Sequence, residues 1–347
     1  MLLLIRFSHY LSPMKVFFLI SAAAVFFLCG SLVAEQEIDG RVFLRDSTGA
    51  MPIHLADPTI FLDEGKYYLY GTSSNKGFEV YESTDLINWT GPSGTENGFA
   101  LLKGQAFGNT GFWAPQLFRH NDLYYMAYTA DEQIAIATSV SPLGPFKQKK
   151  ITAISGEEKQ IDPFVFFDAD GRIFLYHVKL KDGNRIYVSE LKPDLSDIIP
   201  GTSRACISGK EPWENTEKTS WPVTEGPTVI RHKEVYYLIY SANDFRNKDY
   251  AVGYATSASP LGPWKKSAHN PIISRLKLNQ NGTGHGDLFL DKYGKYRYVM
   301  HTHYSSNQVS PRATALMDMH FKDVNNGNDE LIADVSTFKF LIRTVGK

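Results

Sequence analysis

The stretch from Ser220 to Ser241, SWPVTEGPTVIRHKEVYYLIYS, contains one complete hairpin with an acid at its mouth. Glu225 comes first, Gly226 and Pro227 follow, and Thr228, Val229 and Ile230 form a short apolar strand. Arg231 to Glu234 make the turn, and Val235 to Tyr240 return as a second strand dense in the β-branched and aromatic residues that pleated pairs favour. The same figure recurs four times. It starts at Asp57-Pro58 and returns through Tyr67–Tyr70, and starts at Ala114-Pro115 and returns through Tyr124–Tyr128. It starts again at Asp162-Pro163, returning through Ile173–Tyr176, and at Gly286-Asp287, returning through Tyr296–Met300.

Taking Pro58, Pro115, Pro163, Pro227 and Asp287 as the matching positions, the gaps are 57, 48, 64 and 60 residues. Later strands of each unit also repeat. Ile134–Ser139 and Tyr250–Ser257 both run into near-identical connectors, Ser141-Pro-Leu-Gly-Pro-Phe146 and Ser259-Pro-Leu-Gly-Pro-Trp264. A period near 60 residues with about four strands per unit and almost no helical periodicity predicts an all-β, five-bladed β-propeller. No boundary interrupts the repeat, so residues 35–347 read as a single domain.

Residues 1–34 read as a leader. Met14-Lys15 precede an uncharged run of 19 residues, Val16 to Ala34, with cleavage expected after Ser31 or Ala34. The same run is long enough to remain as a membrane anchor. With cleavage the protein is exported, to the periplasm or outside the cell, and is free of the membrane. Cys206 is then its one thiol and no internal disulfide can form. A formal net charge of −1 spread without a basic patch argues against a nucleic-acid partner, and oligomeric state is open.

In a propeller the inner strand of each blade enters at one mouth, so Asp57, Asp162 and Glu225 are expected to occupy equivalent places and converge on one funnel. One Asp-Pro ordinarily does no more than begin a turn. Three acids at repeat-related positions go beyond turn chemistry. Crowded carboxyls raise at least one pKa, which is what a carboxylic acid that donates a proton near neutrality needs.

With these residues in view, the chain resembles glycoside hydrolase family 43 over about residues 50–320. The family's Ala-Asp-Pro, Ile-Asp-Pro and Glu-Gly-Pro motifs stand as Ala56-Asp57-Pro58, Ile161-Asp162-Pro163 and Glu225-Gly226-Pro227. The resemblance implies inverting five-bladed propeller enzymes acting on arabinose- and xylose-containing plant polysaccharides. By it Asp57 is the general base, Glu225 the general acid, and Asp162 the residue that tunes and orients the acid. An inverting pair needs room for water between its carboxyls, which opposite walls of a funnel supply. A sibling group of retaining fructan-cleaving propellers has Asn, Arg and Cys where this chain has Ala56, Ile161 and Gly226, and is disfavoured.

The same resemblance places His285 on the propeller axis, where some members hold a calcium or sodium ion, and Arg312 in the pocket against sugar hydroxyls. Gln116 departs from the Asp the family often has there. Trp113 could stack on a pentose ring, and Trp213 and Trp221 could wall the pocket or cover a sheet edge. No cofactor and no catalytic metal are expected, the metal-ligand spacing being absent. The expected activity is α-L-arabinofuranosidase or β-xylosidase. The alternatives are an endo-acting arabinanase or xylanase of the same fold, and a non-catalytic carbohydrate-binding propeller.

Overall fold

The computed structural model describes residues 35–38, 41–44, 50–155, 159–325 and 327–344. The leader reading of residues 1–34 lies outside the described residues. Among those described, no helix is long and apolar enough to cross a membrane.

Five hairpins carry the architecture: Ala56–Asp63 with Lys66–Thr72, Trp113–His120 with Leu123–Ala130, Gln160–Phe167 with Ile173–Leu180, Thr224–His232 with Val235–Ala242, and Gly284–Leu290 with Tyr296–Thr302. Each leads an antiparallel sheet, extended outward by Tyr81–Ser83, Gln133–Ser139, Asn184–Leu191, Ala251–Ser257 and Ala313–Lys322 respectively. Two of the hairpin turns hold both central residues at positive φ, Glu64-Gly65 at 48° and 80° and Asn121-Asp122 at 46° and 63°. That turn matches the right-handed twist of the strands it joins.

One irregularity is common to all five hairpins. The ladder skips between Ala56 and Thr59, Trp113 and Gln116, Ile161 and Phe164, Glu225 and Thr228, and Gly284 and Asp287. In each case two residues of the leading strand face one of its partner, a β-bulge with its first residue left-handed: Asp57 at φ 47°, Ala114 at 46°, Asp162 at 55°, Gly226 at 59° and His285 at 39°. Proline follows in four of the five. It has no N–H to offer a ladder, and the bulge asks for none. The recurring Pro in the sequence is therefore the mark of this bulge.

The bulge also corrects the sequence alignment of the acids. Asp57 and Asp162 are equivalent to each other and to Gly226, whereas Glu225 sits one residue earlier, in the place held by Ala56, Trp113, Ile161 and Gly284. In the fifth hairpin Gly286, and not Asp287, matches the prolines. A one-residue offset across a pleat turns a side chain to the other face. The acid in Glu-Gly-Pro thus enters the funnel from a different direction than those in Asp-Pro.

Apolar side chains collect between neighbouring sheets. Tyr70, Phe78, Met126 and Tyr128 join the first sheet to the second, and Tyr176, Val188, Leu238 and Tyr240 join the third to the fourth. Ile60, Leu69 and Trp89 pack with Val299, Leu316 and Leu341, placing the fifth sheet against the first. The twin connectors have one job. Buried Tyr70 donates its hydroxyl to the Pro142 carbonyl at 2.5 Å, and buried Tyr176 donates to Pro260 at 2.5 Å. A buried hydroxyl left unpaired costs about 1–3 kcal/mol, so each connector satisfies a neighbouring sheet's tyrosine as it crosses.

Candidate active site

The leading strands of all five sheets bring their bulges to one place. There a cavity of about 380 Å³ opens, with Asp57, Asp162, Glu225, His285 and Arg312 among its walls. All three acids are buried.

Asp57 sits among donors. Its Oδ1 takes the Arg312 Nη1 at 3.0 Å, and its Oδ2 takes the Thr72 hydroxyl at 2.7 Å. His285 Nδ1 and His301 Nδ1 each lie 3.4 Å from Oδ1. Burial alone would raise the Asp57 pKa, but chiefly the Arg312 charge, with the bond from Thr72, outweighs it and holds the carboxyl well below the usual range. The Asp57 backbone N–H donates to His301 Nδ1 at 3.1 Å, which requires that nitrogen unprotonated. Burial, with Arg312 nearby, keeps His301 neutral as that bond demands.

Glu225 has the opposite surroundings. Tyr250 donates its hydroxyl to Oε1 at 2.8 Å, and the Asn184 amide donates to Oε2 at 2.9 Å. Both bonds favour the carboxylate. Burial is larger and, with repulsion from Asp57, lifts the carboxyl to about 7. Asp162 is pushed up well above the ordinary range by burial, by Glu225 and by Asp57, against the pull of the Gly226 N–H, which donates to its Oδ2 at 3.1 Å. The two carboxyls are coupled, so each holds its proton to higher pH when the other is ionised.

Three residues with positive φ and a Cβ, Asp57, Asp162 and His285, sit at the centre of this arrangement. Aspartate is among the few side chains that visit the left-handed region at modest cost, and the carboxyl then points into the funnel. At Gly226 any Cβ would stand 2.7 Å from His285 Cδ2. Glycine there lets the His285 ring lie between the two aspartates, with its Nε2 3.9 Å from Asp162 Oδ2.

Residues 50–325 match glycosyl hydrolases family 43. The chain belongs to glycosyl hydrolase family 43. It is a glycoside hydrolase. Among solved structures it resembles an endo-1,4-β-xylanase from Bacteroides thetaiotaomicron, with 37% identity and a TM-score of 0.77 over 84% of this chain and 98% of that one. Among curated proteins it is 25% identical to a β-D-galactofuranosidase of Aspergillus niger, covering 77% of this chain and 80% of the relative. It is also 26% identical to a xylosidase/arabinosidase of Butyrivibrio fibrisolvens, over 70% of this chain but 48% of the relative.

Within this family 43 chain the remaining sequence candidates separate. Trp113 and Trp221 both line the cavity and are partly exposed, at 37% and 47%. Trp213 packs against Tyr240 at 5.8 Å between ring centres and covers the fourth sheet, so it is no pocket wall. Arg312 reaches the site as expected, but its nearest partner is Asp57. Gln116 is structural. Its amide brackets Val165 of the third sheet, donating to the carbonyl at 3.1 Å and accepting the N–H at 2.6 Å. Burial lifts the Cys206 thiol above its usual range, which disfavours the thiolate, and the partly buried side chain packs against the core between the third and fourth sheets.

Below His285 the cavity shrinks to about 30 Å³, room for a water or two. The Asp287 carboxylate there already accepts the Thr59 hydroxyl at 2.6 Å and the Thr228 hydroxyl at 3.2 Å. An ion at His285 would have one imidazole nitrogen and water as its ligands. Among the described residues no group of three or more His, Cys, Asp or Glu is set to bind a metal.

Thr72, Asn184, Tyr250 and His301 were not legible as site residues. Tyr250 stands just before the strand Ala251–Ser257, and its ring is near parallel to that of His301 at 5.7 Å. The one signal available was His301-Thr302-His303, polar and ionisable at the end of an otherwise apolar strand.

Proposed function

We propose that this enzyme is an exported, inverting glycosidase built on a five-bladed β-propeller, which releases arabinofuranosyl or xylosyl units from plant polysaccharides or oligosaccharides. The observation that carries the reading is the opposition of two carboxyls in one cavity. Asp57 is held ionised, as a base that activates water must be, and Glu225 is lifted to about 7, as an acid that protonates a leaving oxygen must be. Asp162, tied to the Gly226 N–H beside Glu225, tunes and orients that acid. The relatives named above act on xylose-, arabinose- or galactofuranose-containing substrates, in keeping with a pentose or furanose in the pocket. The uncharged run Val16–Ala34 supports export.

The reaction balances without a covalent intermediate. Water loses a proton to Asp57 as its oxygen bonds to the anomeric carbon. The glycosidic C–O bond breaks, and its electron pair takes the Glu225 proton as the leaving hydroxyl. The product should therefore carry inverted anomeric configuration. Proton NMR of the sugar released from aryl arabinofuranosides, xylosides and galactofuranosides, read before mutarotation, checks both configuration and glycone. Retention would assign Asp57 as a nucleophile instead. Endo-cleavage of xylan is the second reading, favoured by the 37%-identical xylanase. The size distribution of products from linear xylan and arabinan separates the two.

Turnover by carboxyls alone also implies that exhaustive chelation leaves most activity intact. Complete loss, restored by one divalent ion, would refute it.

A further inference from the structure

The five bulges also tie neighbouring sheets together, and one tie differs from the rest. On the returning strand of each hairpin, opposite the residue before the bulge, stand Thr72, Thr129, Val178, Ser241 and His301. Four of these five accept the N–H of the next sheet's left-handed bulge residue. Thr72 Oγ1 accepts from Ala114 at 3.0 Å and Thr129 Oγ1 from Asp162 at 2.9 Å. Ser241 Oγ accepts from His285 at 2.8 Å, and His301 Nδ1 accepts from Asp57 at 3.1 Å, which carries the series from the fifth sheet back to the first.

The third sheet breaks the pattern. Val178 is fully buried among the apolar side chains between the third and fourth sheets and has no acceptor to give. A buried N–H is rarely left unpaired, so another group must come to the one on Gly226. Asp162 does, its Oδ2 accepting that N–H at 3.1 Å. Asp57 stands to Thr72 as Asp162 stands to Val178, and it shows the other outcome. There the Thr72 hydroxyl takes the Ala114 N–H and donates its own proton to Asp57 Oδ2 at 2.7 Å, so the next sheet is tied without the carboxylate. The two aspartates share the bulge position and the left-handed backbone, at φ 47° and 55°. They differ in what the returning strand offers.

We propose that Val178 is a positioning residue for the reaction. By withholding an acceptor from the Gly226 N–H it draws the Asp162 carboxylate onto that group and sets it beside Glu225, while Thr72 closes the equivalent tie and leaves Asp57 to the cavity. This rests on Glu225 being the proton donor that Asp162 tunes. Two repeat-equivalent aspartates thus take different duties because one returning strand carries a hydroxyl and the other a methyl at the same place.

Val178→Thr supplies the missing acceptor in a side chain of nearly the same shape. A crystal structure of that variant should show the Gly226 N–H on the new hydroxyl and Asp162 Oδ2 drawn away from it, a readout that does not depend on turnover. An ionised Asp162 farther from Glu225 repels it less, so the alkaline limb of kcat/KM should move to lower pH, by less than in Asp162→Asn. Val178→Ala, which lacks an acceptor as valine does, should melt at lower temperature yet keep the alkaline limb of the wild type. A residue that served packing alone would make alanine the more disturbed on both measures. Val178→Ser repeats the test should the threonine variant not fold. A Gly226 N–H that stays on Asp162, a limb that does not move in Val178→Thr, or one that moves equally in Val178→Ala, overturns the proposal. Failure of the glycosidase reading shows separately, as absent hydrolysis by the wild-type enzyme across the aryl glycoside panel, and the crystal structure still decides the exchange of bonds.

Discussion

Replacing Glu225 with alanine should cost about 10²–10⁴-fold in kcat/KM on oligosaccharides, whose leaving alkoxide needs a proton, and far less on aryl glycosides with acidic phenols. Asp57→Asn should lose a comparable amount on every substrate, because activating water is required whatever the leaving group. Asparagine is the right replacement at Asp57 for a structural reason. It tolerates φ 47°, where a β-branched residue would add strain. The substitution does leave Arg312 without its buried partner, and breaking such a pair costs about 3–5 kcal/mol, so the thermal midpoint should fall even where the fold survives. Steady-state kinetics on a nitrophenyl glycoside and on a pentose trisaccharide decide the matter. The roles are reversed or wrong if both variants lose the same factor on both substrates.

The second large effect is on pH dependence. Catalysis requires Glu225 protonated, so activity falls as pH rises through its pKa of about 7. It requires Asp57 ionised, and that carboxyl is held well below its ordinary value, so activity should persist far into the acid range. In Asp162→Asn the alkaline limb should move to lower pH. An ionised Asp162 beside Glu225 disfavours a second buried negative charge there, the reciprocal of the repulsion that Glu225 exerts on Asp162. With one carboxyl replaced by an amide, that repulsion is gone and Glu225 ionises earlier. The backbone is spared, since asparagine accepts φ 55° as aspartate does. The acidic limb should move less, because Asp57 is governed mainly by burial and by Arg312. Profiles of kcat/KM for the two enzymes on one substrate test this. An alkaline limb that stays in place or moves up leaves Asp162 as a bulge residue only.

Read alone, the chain disclosed its repeat with considerable fidelity. The Pro-marked hairpins, their aromatic return strands and the two Ser-Pro-Leu-Gly-Pro connectors all correspond to real and equivalent parts of the fold, because strand pairing and turn chemistry are local and leave their signature in neighbouring residues. The three acids were legible for the same reason, each attached to a repeat landmark. What the sequence could not supply was direction and company. A bulge adds one residue to a strand, and only its three-dimensional register shows that Asp57 and Asp162 share a position while Glu225 belongs to the one before. Asn184 and His301 reach their acids from a neighbouring sheet, 41 and 244 residues away, and Thr72 and Tyr250 reach theirs from within the same sheet, 15 and 25 residues away. Those bonds are made between strands brought together by the fold and not between neighbours along the chain. For that reason the sequence could name the acids, while only the packing of five sheets around one cavity decided which of them keeps its proton.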